Sequence, residues 1–244
     1  MHVKLIFLFL FCQVTELAAA KQDSLGTNSF WIGYKVGSAY SNVSAYQRWT
    51  VREGLNNISA NTRNTLIGFD MLYNHKRMVY GLNADFELRT FGGAEPYYFN
   101  FAFRSGYTVV DQNRFQVKTL GGIGLAYAFV RFENSIPASL QDIDAKYSDP
   151  FARVSAMIGR IEALTSFKLQ KKTVNHNRSL FQLIVFFNAG VQPVLAHGNW
   201  NYGEMVMDTI DGSSFVGERI DMPKFYKANW FACGGIAMSM GNRH

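Results

Sequence analysis

The sequence predicts an all-β chain folded as a single antiparallel up-and-down β-barrel that crosses a membrane with its strands. Three observations carry that expectation. Eight segments alternate apolar and polar residues with a period of two; most are ten or more residues long; and their connections alternate between short and long. The chain has 244 residues, 48% of them hydrophobic, 15% aromatic and only 17% charged, too apolar for a disordered chain. No apolar run reaches the roughly 18 residues that a membrane-spanning helix needs. Two cysteines, Cys12 and Cys233, exclude a disulfide scaffold and a cysteine-based zinc site.

The chain opens with an export signal. Lys4 gives a positive start, Leu5 to Cys12 an apolar core too short to span a bilayer, and Ala18-Ala19-Ala20 a small-residue cleavage site. Residues 1–20 are therefore expected to be removed, leaving 21–244 as one barrel domain with Cys233 as its single cysteine. The lost segment carries Lys4 and Glu16, so the charge stays 23 − 17 = +6. Such mild, scattered basicity is no nucleic-acid footprint.

The first strand is expected over Ser29 to Tyr40, where Phe30, Ile32, Tyr34 and Val36 alternate with Gly33, Lys35 and Gly37. Thr65 to Tyr73 is the second. Met78 to Thr90 is the third and clearest, with Tyr80, Leu82, Phe86 and Leu88 against Gly81, Asn83, Asp85, Glu87 and Arg89. In the fourth, Tyr97 to Val109, the residues Phe99, Phe101, Phe103 and Tyr107 oppose Asn100, Ala102, Arg104 and Gly106. Phe115 to Phe129, Ala152 to Gln170, Leu180 to Leu195 and Phe225 to Met240 complete the set. Such lengths exceed the five or six residues usual in soluble sheets and suit a tilted membrane strand of about nine to eleven.

Short links at Asn74 to Arg77, Asp111 to Arg114 and Lys171 to Arg178 alternate with long ones at Ser41 to Asn64, Glu133 to Pro150 and Ala196 to Lys224, Phe91 to Pro96 alone being short on the second side. This parity fits short periplasmic turns and long extracellular loops. Within the last long loop, Met205 to Val216 centres on Asp211-Gly212, a hairpin signal; insertion of that hairpin would raise the count from eight strands to ten.

The two faces follow from the alternation. Lipid is expected to meet Phe30, Phe69, Phe86, Phe101, Phe103, Leu125, Phe187 and Trp230, with tyrosines such as Tyr73, Tyr80, Tyr97, Tyr107, Tyr127 and Tyr226 in girdles near the strand ends. The lumen is expected to hold a network of Lys35, Asp70, Asp85, Glu87, Arg89, Arg104, Lys118, Arg160, Glu162 and Lys227. An eight-stranded interior is just wide enough for side chains to fill, so these residues read as a charge-paired plug, with Arg89 and Arg104 beside Asp85 and Glu87.

The signal, the strands and the loop parity together resemble the small bacterial outer-membrane barrels, of the OmpA transmembrane-domain and OmpX-like architecture. Lys21-Gln22-Asp23-Ser24-Leu25 is also similar to the start of Bacteroidetes outer-membrane barrels. The resemblance covers Ser29 to Met240 without a specific motif, and implies location and fold but no activity. It implies contact with outer-membrane lipid and lipopolysaccharide, and a surface ligand or protein partner met through loops 41–64, 133–150 and 196–224.

The expectation is a non-enzymatic barrel with a structural or surface-interaction role. Three other readings stand beside it: a narrow channel for small polar solutes, a lipid-A-modifying acyl hydrolase or transferase, and a soluble lipocalin-like carrier with its faces inverted. The enzyme reading has one weak catalytic candidate, His197, in the loop that holds Asp208, Ser213 and Ser214. No cofactor and no metal site is expected, since no His, Cys and acidic residues share ligand spacing. The acidic residues of the later loops, among them Glu133, Asp142, Asp144, Asp149, Glu204 and Glu218, read as solvated surface.

Overall fold

The computed structural model describes residues 28–41, 44–55, 63–88, 94–112, 114–132, 136–173, 179–208, 212–223 and 228–242. The export signal, Arg89, Tyr226 and Lys227 lie outside them. In chain order the elements are β1 (Ser29–Ser41), α1 (Ser44–Arg52), β2 (Arg63–His75), β3 (Met78–Leu88), β4 (Ala94–Asp111) and β5 (Phe115–Phe132). A 3-10 turn (Ala138–Leu140) and α2 (Gln141–Asp144) follow, then β6 (Phe151–Thr173), β7 (Ser179–His197), β8 (Trp200–Asp208), β9 (Gly212–Ile220) and β10 (Ala228–Asn242).

Eight of the ten strands close a barrel. Each of β1 to β7 pairs antiparallel with its sequence neighbour, β7 pairs with β10, and β10 returns to β1 along Ser29↔Gly241 to Ser41↔Asn229. Closure removes sheet edges, so backbone polar groups are met within the ladder, which is what a strand-built membrane span requires. The hairpin signal at Asp211-Gly212 is realised in β8 and β9, but these strands do not enter the barrel wall. They stand above it, β8 pairing with the start of β6 through Phe151↔Gly203 and Arg153↔Asn201. The barrel count is eight, with two strands in an appended hairpin.

Side chains alternate across the wall as the period of two requires. In β3 the burial alternates from Val79 onward, with Asn83, Asp85 and Glu87 buried and Leu82, Phe86 and Leu88 exposed. The aromatic and aliphatic set stands outside: Phe101, Phe103, Leu125, Phe187 and Trp230 are exposed, Phe86 likewise, and Phe30 and Phe69 half-exposed. Tyr73, Tyr80 and Tyr107 cluster at the short-turn end, where Tyr73 pairs with Tyr80 and Met78 with Tyr107. At the opposite end stand Tyr40 beside Trp230, Tyr97, and Tyr127. Two aromatic belts thus bound an apolar band.

The interior has three levels. Near the short turns, Trp31, Leu72, Val79, Leu120, Leu164, Ile184, Phe186 and Ala237 form an apolar floor, with Trp31 edge-on to Phe186 at 5.2 Å. Charged and amide side chains fill the middle. At the long-loop end a larger cluster joins the wall residues Tyr98, Ala126, Ala128, Val130 and Val154 to Tyr46 and Trp49 of α1, Leu140, and Trp200, Tyr202 and Ile220 of the hairpin. The loops therefore fold down onto the mouth as an apolar cap.

Candidate functional site: the luminal ion ring and its cap

Five strands deliver the middle level. Lys35 comes from β1, Asp70 from β2, Asp85 from β3, Arg104 from β4, and Arg160 and Glu162 from β6, all at inward positions and all fully buried side chains. They connect as a closed circuit of alternating sign. Lys35 Nζ lies 2.7 Å from Asp85 Oδ1 and 3.4 Å from Asp70 Oδ1. Arg104 bridges Asp70, 2.6 Å from its Oδ1, and Glu162. Arg160 Nε donates to Glu162 Oε2 at 2.9 Å and its Nη1 to Asp85 Oδ2 at 2.6 Å. Three cations and three carboxylates leave the ring neutral, the condition under which buried charges are tolerated.

Asn83 knits the ring together: its Nδ2 donates to Asp70 at 3.1 Å and Asp85 at 2.9 Å, while its Oδ1 accepts from Arg160 Nη1 at 2.7 Å. Arg160 also lies over the Phe231 ring, 4.1 Å from its centroid, which closes one side of the ring with apolar surface. Gly68 makes the space. A Cβ there would sit 2.2 Å from Asp85 Oδ1 and 2.5 Å from Lys35 Cε, so only a residue without a side chain lets the two charges meet.

The pairing differs from the sequence expectation in its partners. Asp85 and Glu87 share a face, yet Arg104 contacts neither; it reaches across to Asp70 and Glu162, because the stagger of the strands puts β6 within its reach. Glu87 stands one level higher, accepting from Asn64 Nδ2 at 3.2 Å and Asn229 Nδ2 at 3.4 Å. Lys118 is buried below the ring, its ammonium 4.8 Å from the Trp31 centroid. The structure thus brings six of the ten expected luminal residues into one ring, places Glu87 above and Lys118 below it, and leaves Arg89 and Lys227 outside the described residues.

Sequence periodicity missed the cap. Trp49 and Tyr46 fall in a short helix of a loop, with no strand alternation to mark them as buried. Polar contacts hold the cap in place. The Ser139 amide donates to Glu53 Oε2 at 3.0 Å, the Ser148 amide and hydroxyl donate to Glu204 at 2.9 and 2.7 Å, and Lys146 Nζ donates to Glu218 at 2.6 Å. Tyr202 donates to Asp144, and burial pushes its hydroxyl well above the ordinary tyrosine value, as it does for Tyr46. The Ser139 hydrogen bonds, with Arg52 alongside, hold the Glu53 carboxyl below its usual range. Several of the loop acids are therefore ties between loops. Among the described residues no three His, Cys, Asp or Glu side chains converge as a metal site.

His197 lies at the end of β7 beside Ala156, with its Nδ1 2.8 Å from the Gly198 carbonyl. Ser213, Ser214 and Asp208 are at the far tip of the hairpin, where Asp208 pairs with Gly212 and Ser214 with Val206. The structure does not bring them to His197. The histidine edges a void of about 10 Å³ bounded by Tyr98, Ala126 and Val154, room for about one water.

No family model matches the chain, and no curated protein matches it. Among solved structures, the Neisserial surface protein A is similar at 7% identity and a TM-score of 0.42, covering 88% of this chain and 97% of that one. The translocator domain of the autotransporter NalP from Neisseria meningitidis is similar at 8% identity and 0.36, covering 99% and 98%. The outer membrane protease OmpT from Escherichia coli follows at 8% and 0.29, covering 91% and 99%. No activity transfers at such identities. By its own geometry the chain is a closed, antiparallel, up-and-down barrel with apolar exterior and polar interior, the architecture of the small outer-membrane barrels.

Proposed function

We propose that this chain is an exported outer-membrane barrel whose lumen is a plug rather than a pore, and whose working surface is the cap over its long-loop end. The observation that carries the reading is the inverted sidedness of the wall. Phe101, Phe103, Ile123, Leu125 and Trp230 face outward between 45% and 63% exposed, while Lys35, Asp70, Asp85, Arg104, Arg160 and Glu162 are at most 3% exposed inside. In water this would leave the apolar surface unburied; in a bilayer that surface meets hydrocarbon, while the inward charges, buried in either medium, neutralise one another in the ring.

The plug follows from three stacked fillings. An apolar floor, a neutral ion ring and an apolar cap occupy the interior in series, and each would have to move for a solute to pass. The role this supports is structural or one of surface interaction, exercised by the loops that bear the cap. The length of residues 1–20 and their small-residue site fit export. Electrophoretic mobility of the detergent-extracted membrane fraction tests the reading. A compact band before boiling that shifts after it is expected; a soluble periplasmic protein with no shift would overturn the membrane assignment.

A further inference from the structure

Two arginines at the long-loop end, Arg153 on the outside of the wall and Arg219 on the hairpin above it, have no part in the plug. Arg153 of β6 pairs in register with Asn201 of β8, and Asn201 with Arg219 of β9, so the three residues form one row across neighbouring strands on the outer face. Strands stand about 4.8 Å apart, which puts the two arginine Cα atoms about 10 Å from each other, within reach of a shared anion for side chains of that length. On the other side Arg153 is in register with Phe129, two residues above the pairing of Tyr127 with Ser155. Tyr127 belongs to the aromatic belt at the long-loop end. The row is therefore at the height where hydrocarbon gives way to headgroups.

The site is built around Arg153. Phe129 packs on Phe151 at 6.0 Å and Phe151 on Phe215 at 5.4 Å, an aromatic column that climbs from the wall onto the hairpin. The Phe215 ring lies across Gly217, where a Cβ would approach it to 2.5 Å, and covers the Arg153 guanidinium with its centroid 3.7 Å away. Stacking occupies a face of the guanidinium and leaves its N–H edge for an acceptor. Among the described residues neither Arg153 nor Arg219 meets a carboxylate, whereas Arg131 is tied to Asp149 and Lys146 to Glu218 on the same end of the barrel.

We propose that Arg153 and Arg219 seat a phosphate of a phosphorylated lipid headgroup in the outer leaflet, with the Phe215 ring holding the Arg153 guanidinium and Tyr127 and Leu125 of the wall below it toward the acyl region. Paired guanidinium groups match phosphate geometry, and an arginine at an aromatic belt bounded by apolar wall meets a lipid phosphate before any soluble one. The inference rests on the outer-membrane reading above.

Native mass spectrometry of the full-length, detergent-folded protein tests it, with bisphosphorylated lipid A and its fully dephosphorylated form as probes. A retained adduct is expected with the phosphorylated form, about tenfold less with the dephosphorylated one, and a similar loss in R153Q/R219Q but not in R131Q. The compact unboiled band of each variant verifies folding, and its absence in the unaltered protein would overturn the membrane reading instead. Equal retention of both lipids, or full retention by R153Q/R219Q, would overturn the seat. Displacement of the lipid by an equal concentration of inorganic phosphate would overturn the lipid as the source of the anion.

Discussion

Arg160 of β6 and Asp85 of β3 meet across the lumen, Nη1 2.6 Å from Oδ2, with both side chains sealed from solvent. The contact joins strands separated by β4 and β5 in the wall, so it fixes the cross-section of the barrel as well as neutralising two charges. Removing one partner leaves an uncompensated buried charge, and the cost exceeds the net worth of the pair. Arg160→Met is therefore expected to lower stability by about 3–5 kcal/mol in denaturant unfolding from lipid, and adding Asp85→Asn to recover part of it. A single variant as stable as the parent would show that the ring contributes nothing.

Gly68 gives a second handle on the same ring. Its missing Cβ would stand 2.2 Å from Asp85 Oδ1, so Gly68→Ala pushes Asp85 from Lys35 without deleting a charge. A loss of about 1–3 kcal/mol is expected in the same unfolding measurement, as for other overpacked sites. Gly121, with no atom closer than 3.9 Å to a built Cβ, is the matched control, and Gly121→Ala should be near neutral.

The outer face makes a prediction graded by depth. Phe101 is in register with Leu125 and Ala84 in the middle of the band, whereas Tyr127 belongs to the belt at its edge. Phe101→Arg is expected to cost about 2–4 kcal/mol and Tyr127→Arg about 0–1 kcal/mol. Equal costs in folding titrations would contradict a bilayer around this wall.

In the cap, Glu53 links α1 to the turn at Ser139, and hydrogen bonding holds its carboxyl below the ordinary range. A depressed folded value means that the tie stabilises above the unfolded carboxylate range and is lost as pH falls through the lowered value. The Ser139 amide proton resonance should accordingly titrate with a midpoint below the ordinary glutamate value of about 4.3. Glu53→Gln should abolish that transition. A midpoint at the ordinary value would contradict the tie.

Much of this was legible in the sequence, for a physical reason: a strand with two different media on its faces must alternate, and Met78 to Leu88 does so almost without exception. The luminal membership of Lys35, Asp85 and Arg160 follows from parity alone. Their partners do not, because which side chains meet across a lumen depends on strand stagger, and so Arg104 pairs with Glu162 from 58 residues away rather than with the acids of β3. The burial of Trp49 was illegible for another reason. A nine-residue loop helix has no long-range periodicity, and its apolar face acquires a partner only when the barrel mouth exists.

The plug is the central claim, and single-channel recording in a planar bilayer tests it most directly. Folded protein inserted at defined copy number is predicted to leave the membrane insulating if, as proposed, floor, ion ring and cap close the lumen in series. Discrete, reproducible conductance steps from the unaltered protein would contradict it.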